Sequence, residues 1–300
     1  MDQLTLQVKK ILSKWNENIH IFSNRKIYRL GIWLIISILL TGLLFQYNTY
    51  SFDKFSIAYI EKTGAYPYIV LAFCILMLYL KRDIIIAEAQ KETGLLYTVI
   101  GFSLAGLPGL LTFNELPFLI FDLLLIWLGI FIAVYGKAAI IPSVLLGIYG
   151  FAIIFPPFVL ELGNFFPLTT ATTLVFLLHP FLPISNQGTT IHFIDLSGLR
   201  QTYLIDAGCS GSASIAVFLS LFFLMTLDIP LPWKKAVYLL TFGLAGTILQ
   251  NILRLIVLVL AGYWYGSQAL WSAHAYAGYI LFPVWYAFFA YVYLKQASKS

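Results

Sequence analysis

Acyl transfer through a thiol needs three parts: a nucleophilic sulfur, a group that moves its proton, and a cation that steadies the oxyanion. Cys209, His274 and Arg254 could supply them. Cys209 lies in DAGCSGSAS, flanked by Gly208, Ser210 and Gly211, at the head of the apolar run IAVFLSLFFLMTL. Small neighbours leave the sulfur reachable, and a helix N-terminus favours negative charge and so a thiolate. The plainer role for a free cysteine is a small buried hydrophobe, and this is the role expected of Cys74 in VLAFCILML.

Arg254 stands inside ILQNILRLIVLVLAGYW. A charge at the centre of a membrane helix costs about 2.5–3.5 kcal/mol on insertion scales, so such residues usually serve function. Gln250 and Asn251 fall on the same helical face, and Asn251 is expected to hold an edge of the guanidinium. Leu255, Ile256 and Leu258 surround them with apolar surface. The alternative is an arginine that ties helices together through carbonyls. His274, in LWSAHAYAGYILF beyond Trp271 and Ser272, would otherwise be an ordinary interfacial histidine. His192 is a rival base, and Asp206 either orients the histidine or begins the span.

These side chains need helices in a membrane to hold them. Of 300 residues, 60% are hydrophobic and 10% charged, with a mean hydropathy of +0.87, far from the balance of soluble domains. Apolar runs recur along the chain, and about 20 residues suffice to cross a bilayer. The spans expected are about 30–47, 67–80, 95–113, 116–135, 138–160, 210–227, 236–262 and 276–294. The fold class is therefore an all-α polytopic membrane protein of about eight transmembrane helices in one integral domain, 1–300. Residues 1–29 form a basic cytoplasmic terminus with an amphipathic face of Val8, Ile11, Leu12, Trp15 and Ile19.

With both termini inside, fourteen of the eighteen lysines and arginines fall in inner segments. Only Lys54, Lys62, Arg200 and Arg254 fall elsewhere. This bias makes Leu168 to Ile184 an interfacial or re-entrant helix on the outer face rather than a ninth span. It also brings Cys209, Arg254 and His274 towards one leaflet. A β-hairpin is expected in Thr189 to Asp206, turning at Ser197-Gly198, so 165–206 forms an extracytoplasmic insertion and 207–294 the catalytic helices.

The positive charge sets orientation and gives no argument for nucleic acid. His179, His192, His274 and Cys209 lack the spacing of a metal site, and no cofactor or metal is expected. No internal repeat supports a carrier built from duplicated halves. A carrier or channel with Arg254 as counter-charge is the rival class, disfavoured by the apolar inner halves of the last three spans.

Cys209-Ser210-Gly211 heading a span, Asn251 with Arg254 in NILRL, and His274 with Gly278 in HAYAG together resemble the exosortase/archaeosortase family of membrane-embedded, sortase-like cysteine transpeptidases. The motifs cover about the C-terminal 130 residues. The resemblance implies an enzyme of the cell membrane whose partners are secreted proteins ending in a short motif, a transmembrane helix and a basic tail. It implies cleavage at the motif on the outer face, then transfer to an acceptor, which in the archaeal case is a lipid. Cys209 would form the thioester, Arg254 steady the oxyanion, and His274 activate the thiol or protonate the leaving amine. Asp206, Ser210, Gly211 and Asn251 would support them.

Overall fold

The computed structural model describes residues 66–89, 94–110, 116–161, 163–206 and 208–298. The expected amphipathic N-terminus and first span lie outside the described residues. Numbered over the described residues, the helices are α1 (Tyr66–Leu80), α2 (Arg82–Ala89), α3 (Leu95–Gly106), α4 (Leu116–Tyr135), α5 (Ile140–Glu161), α6 (Phe165–Leu178), α7 (Ser212–Asp228), α8 (Trp233–Tyr265) and α9 (Ser267–Ala297). Strands β1 (Ile184–Gln187), β2 (Thr190–Ile194) and β3 (Arg200–Leu204) lie between α6 and α7. The protein is mostly helical and is a membrane protein. By length and apolarity, the stretches Leu124–Pro156, Trp233–Tyr265 and Ser267–Ala297 can each cross a bilayer, and the shorter apolar helices include Leu95–Gly106 and Ser212–Asp228.

Two compact units divide the chain. One comprises 78–146 of the described residues, and the other 66–77 and 147–298. In the first, α3 and α4 approach until backbones touch. A side chain on Gly101 would strike Ala133 and the carbonyl of Gly129, and one on Gly129 would strike Gly101 and Ala105. In lipid, where apolar burial drives little association, small residues permit such packing. Gly136, at φ 55°, interrupts the helix after α4. Asp122 in α4 is buried, and its Oδ1 has no hydrogen-bond partner.

The second unit contains Cys209, Arg254 and His274. α8 and α9 form a hairpin around Gly266, whose φ of 80° admits the reversal. Gly246 leaves room for the Trp285 ring, and Gly243 for Phe218 and Phe289. Two tyrosines tie α9 to α7 and the turn after it: Tyr286 Oη donates to the carbonyl of Ser214 at 3.0 Å, and Tyr293 Oη to that of Ile229 at 2.7 Å. α9 starts nine residues before the expected span at 276, since nothing in SQALWSAHA stops a helix once Gly266 has turned the chain. His274 therefore stands within α9 rather than ahead of it.

The expected hairpin is a three-stranded antiparallel sheet in the order β1-β2-β3. The strand added to the expected hairpin is β1, which begins at Ile184, the last residue of the segment read as helical; Pro180 and Pro183 follow the end of α6 at Leu178 and release the chain to pair. In the turn, Asp195 Oδ1 accepts from the amides of Ser197 and Leu199 and from the Ser197 hydroxyl, while Oδ2 accepts from Gln201 Nε2. These donors, the Ser197 hydroxyl foremost, hold its carboxyl below the usual range. Burial alternates along β2, so Ile191 and Phe193 face inward opposite Tyr203 and Gln201. The sheet docks on the end of α8: Leu196 N donates to the carbonyl of Tyr263, and Phe193 reaches the bare Gly262. One buried cluster joins α6 (Ala171, Leu174), the sheet (Ile191, Phe193, Tyr203), Cys209 and α8 (Leu255, Leu258).

Candidate active site

Cys209 sits in a tight turn between β3 and α7, held from three directions. Its amide donates to Asp206 Oδ1 at 2.9 Å, and the Ser210 amide donates to the Asp206 carbonyl. From α8, Asn251 Nδ2 donates to the carbonyl of Cys209 at 3.0 Å. From α6, the Thr170 hydroxyl donates to the carbonyl of Ser210. Gly211 closes the turn at φ 91° and starts α7. A Cβ there would approach Asn251 Nδ2 to 2.9 Å, so both conformation and space require glycine. Gly211→Ala should cost at least about 1–2 kcal/mol from backbone handedness alone. We expect a lowered unfolding midpoint in detergent and altered Cys209 alkylation, with Gly198→Ala, in an open turn at similar φ, as the control for strain without the clash.

The thiol is not alone with the imidazole. Tyr203 Oη lies 2.8 Å from Cys209 Sγ and 2.8 Å from His274 Nδ1, whereas Sγ and Nδ1 are 3.9 Å apart. The Tyr203, His274 and Trp271 rings meet edge to face, with centroids 5.7–6.0 Å apart. Sequence reasoning missed Tyr203. The signal available was strand alternation, which turns Tyr203 inward with Ile205, six and four residues before the cysteine.

Arg254 lies across α9. Its Cδ is 3.7 Å from where a Cβ of Gly278 would stand, and its guanidinium carbon is 5.7 Å from the centroid of the Phe282 ring. Nε and Nη2 are buried without a hydrogen-bond partner. Asn251 was expected to hold this guanidinium; its amide instead holds the Cys209 turn, and its Oδ1 has no partner. The helical face is shared, but the short amide ends at the turn while the arginine runs on along Gly278.

Burial pushes the Cys209 thiol up to about 11, opposed by Arg254 and by the hydrogen bond from Tyr203. At rest, therefore, the sulfur is protonated at neutral pH. Burial, and next the neighbouring Cys209, also raise the Tyr203 phenol. Cys209 is 4% exposed and Tyr203 3%.

His192, His179 and Cys74 make no contact with the thiol. His192 shares the opposite sheet face with Thr202, to which its Nδ1 bonds at 3.1 Å. His179 is exposed at the end of α6. Cys74 is buried in α1. Asp206 makes the cysteine turn through both its carboxylate and its carbonyl, which accounts for its place at the start of the motif.

The second unit is thus a membrane-helix scaffold carrying a buried thiol, a phenol, an imidazole and a guanidinium. A family model described as transmembrane exosortase (Exosortase_EpsH) matches residues 59–291, and the chain belongs to this family. No curated protein and no solved structure matches it.

Proposed function

We propose that the protein is a membrane-embedded cysteine protease and transpeptidase. It cuts secreted proteins at a C-terminal sorting signal, holds them as a thioester on Cys209 and passes them to an acceptor. The observation that supports this best is the meeting of the Cys209 thiol with a proton path to His274, near a guanidinium that has two buried, unpartnered nitrogens. Membership of the exosortase family supports the same reading.

In this reading the deprotonated sulfur attacks the peptide carbonyl, and Arg254 steadies the developing oxyanion. Imidazolium then protonates the leaving amine. The acceptor, a membrane lipid in one version, enters as the second nucleophile and releases the thiol. The sheet and α6 cover the turn and keep water from the thioester. The fourteen-to-four distribution of basic residues supports an outer-face site and cytoplasmic termini for a chain of eight spans.

The test is co-expression with a secreted reporter ending in motif, helix and basic tail, followed by mass spectrometry of the product. A reporter shortened at the motif and carrying an added acceptor mass is expected. An intact reporter across a panel of such tails would overturn the assignment. On the same cells, a membrane-impermeant maleimide should modify Cys209 from outside and leave Cys74 untouched. Labelling of Cys209 only in inverted membranes would overturn the topology.

A further inference from the structure

We propose that Tyr203 is a catalytic residue, whose hydroxyl carries the proton between the Cys209 thiol and Nδ1 of His274 and then donates a hydrogen bond to the thiolate. The assignment rests on the thiol chemistry proposed above, but its central test reads the sulfur directly.

The geometry favours a route through oxygen. Both oxygen contacts are 2.8 Å, while the direct sulfur–nitrogen separation of 3.9 Å is long for proton transfer. A phenol can accept one hydrogen bond and donate another at the same oxygen. With the proton of neutral His274 on Nε2, Nδ1 is free to accept. The S–H bond breaks with its electron pair left on sulfur, and its proton goes to the phenol oxygen. The phenol's own proton passes to Nδ1. The products are a thiolate, a neutral phenol and an imidazolium, with charge and protons balanced and no phenolate required. The new O–H then points at the thiolate. Return of the imidazolium proton to the leaving amine completes the exchange.

The groups facing the sulfur are few. β3 contributes Tyr203, α9 His274, α8 Arg254 and the turn Asp206, of which Arg254 favours the thiolate and Asp206 opposes it. α6, FFPLTTATTLVFLL, contributes no ionisable group. A purely packing role would need only the ring, which lies among Ile191, Trp271 and His274. The hydroxyl would then be dispensable.

Tyr203→Phe separates the two, because it keeps the ring and removes the oxygen. Using full-length protein in bilayers, in a Cys74→Ala background, the rate of Cys209 alkylation by iodoacetamide is followed against pH. We expect the Tyr203→Phe profile to move to higher pH, with alkylation at pH 7.5 slowed roughly 10- to 100-fold, the range for a hydrogen bond to a charged group. The rate at the alkaline plateau should stay unchanged. A profile within twofold of the parent at every pH would overturn the proposal. If the variant fails to insert, 3-fluorotyrosine at position 203, a stronger acid of the same shape, should move the profile to lower pH; no movement would equally overturn it.

His274→Gln and Tyr203→Phe should slow single-turnover acylation non-additively, since they interrupt one path. Additive effects would sink the relay. A shifted profile in a protein that cuts no sorting-signal reporter would leave the tyrosine assignment standing and remove the transpeptidase reading. Reporter cleavage with an unshifted profile would do the reverse.

Discussion

Cys209→Ser should leave the reporter uncut and form no detectable acyl-enzyme, although serine fits the turn and can keep a hydrogen bond to Tyr203. In the proposed mechanism the thiol is neutral at rest and ionises when its proton leaves through the neighbouring groups. Burial already pushes that thiol to about 11, and an alcohol starts far higher on the same scale. Arg254 and His274 could not bring it to useful ionisation near pH 7. Removal of the nucleophile in enzymes of this general kind costs up to about 10⁶-fold. Cys74→Ala, buried in α1, should process the reporter at the parental rate. Full activity in Cys209→Ser or Cys209→Ala would remove the sulfur from the chemistry altogether.

Arg254→Lys should insert correctly and bind the reporter, yet acylate roughly 10²- to 10³-fold more slowly, the usual consequence of losing a positioned oxyanion donor. The guanidinium lies over Phe282 with Nε and Nη2 free to donate. Lysine keeps the positive charge as a compact, strongly hydrated ammonium and cannot offer two donors in a fixed plane. Its chain would follow the same groove past Gly278, so a defect should reflect the head group. The measurement is single-turnover thioester formation on matched amounts of inserted protein. A rate within about threefold of the parent would assign Arg254 to charge placement alone.

Helix identity was readable wherever apolar length decided it. The expected 116–135 span corresponds to α4, and 67–80 differs by one residue from α1. What escaped was local. The early end of α6 depended on Pro180 and Pro183 together with a pairing partner for β1, which hydropathy does not register. Asp122 is an ionisable residue within an apolar run, so the cost argument that singled out Arg254 applies to it as well. At the site, the meeting of Cys209 and His274 was legible from topology, since charge placement brought their helices to one level. Tyr203 was not, because a strand residue enters the site by register. Shifting the sheet by one residue would turn its hydroxyl away and bring His192 inward. Asn251 was legible as important but not as a clamp on the cysteine turn, which depends on how close Gly211 lets α8 approach.

The lengths of α8 and α9 have a consequence for substrate choice. At about 1.5 Å per residue, their 33 and 31 residues reach about 50 and 46 Å, well beyond a hydrocarbon core of roughly 30 Å. If, as the proposed topology has it, Lys234 and Lys235 are anchored in one headgroup layer, a rise of about 30 Å ends near Leu255. Arg254 would then mark the height where hydrocarbon gives way to headgroups. On the proposed function a scissile bond would have to be offered at that height, set there by the length of the substrate's own helix below. One extra helical turn between motif and helix would lift the bond by about 5.4 Å, farther than a side-chain thiol can follow. The enzyme would therefore act as a ruler, selecting a tail by where its helix ends as well as by the residues of its motif.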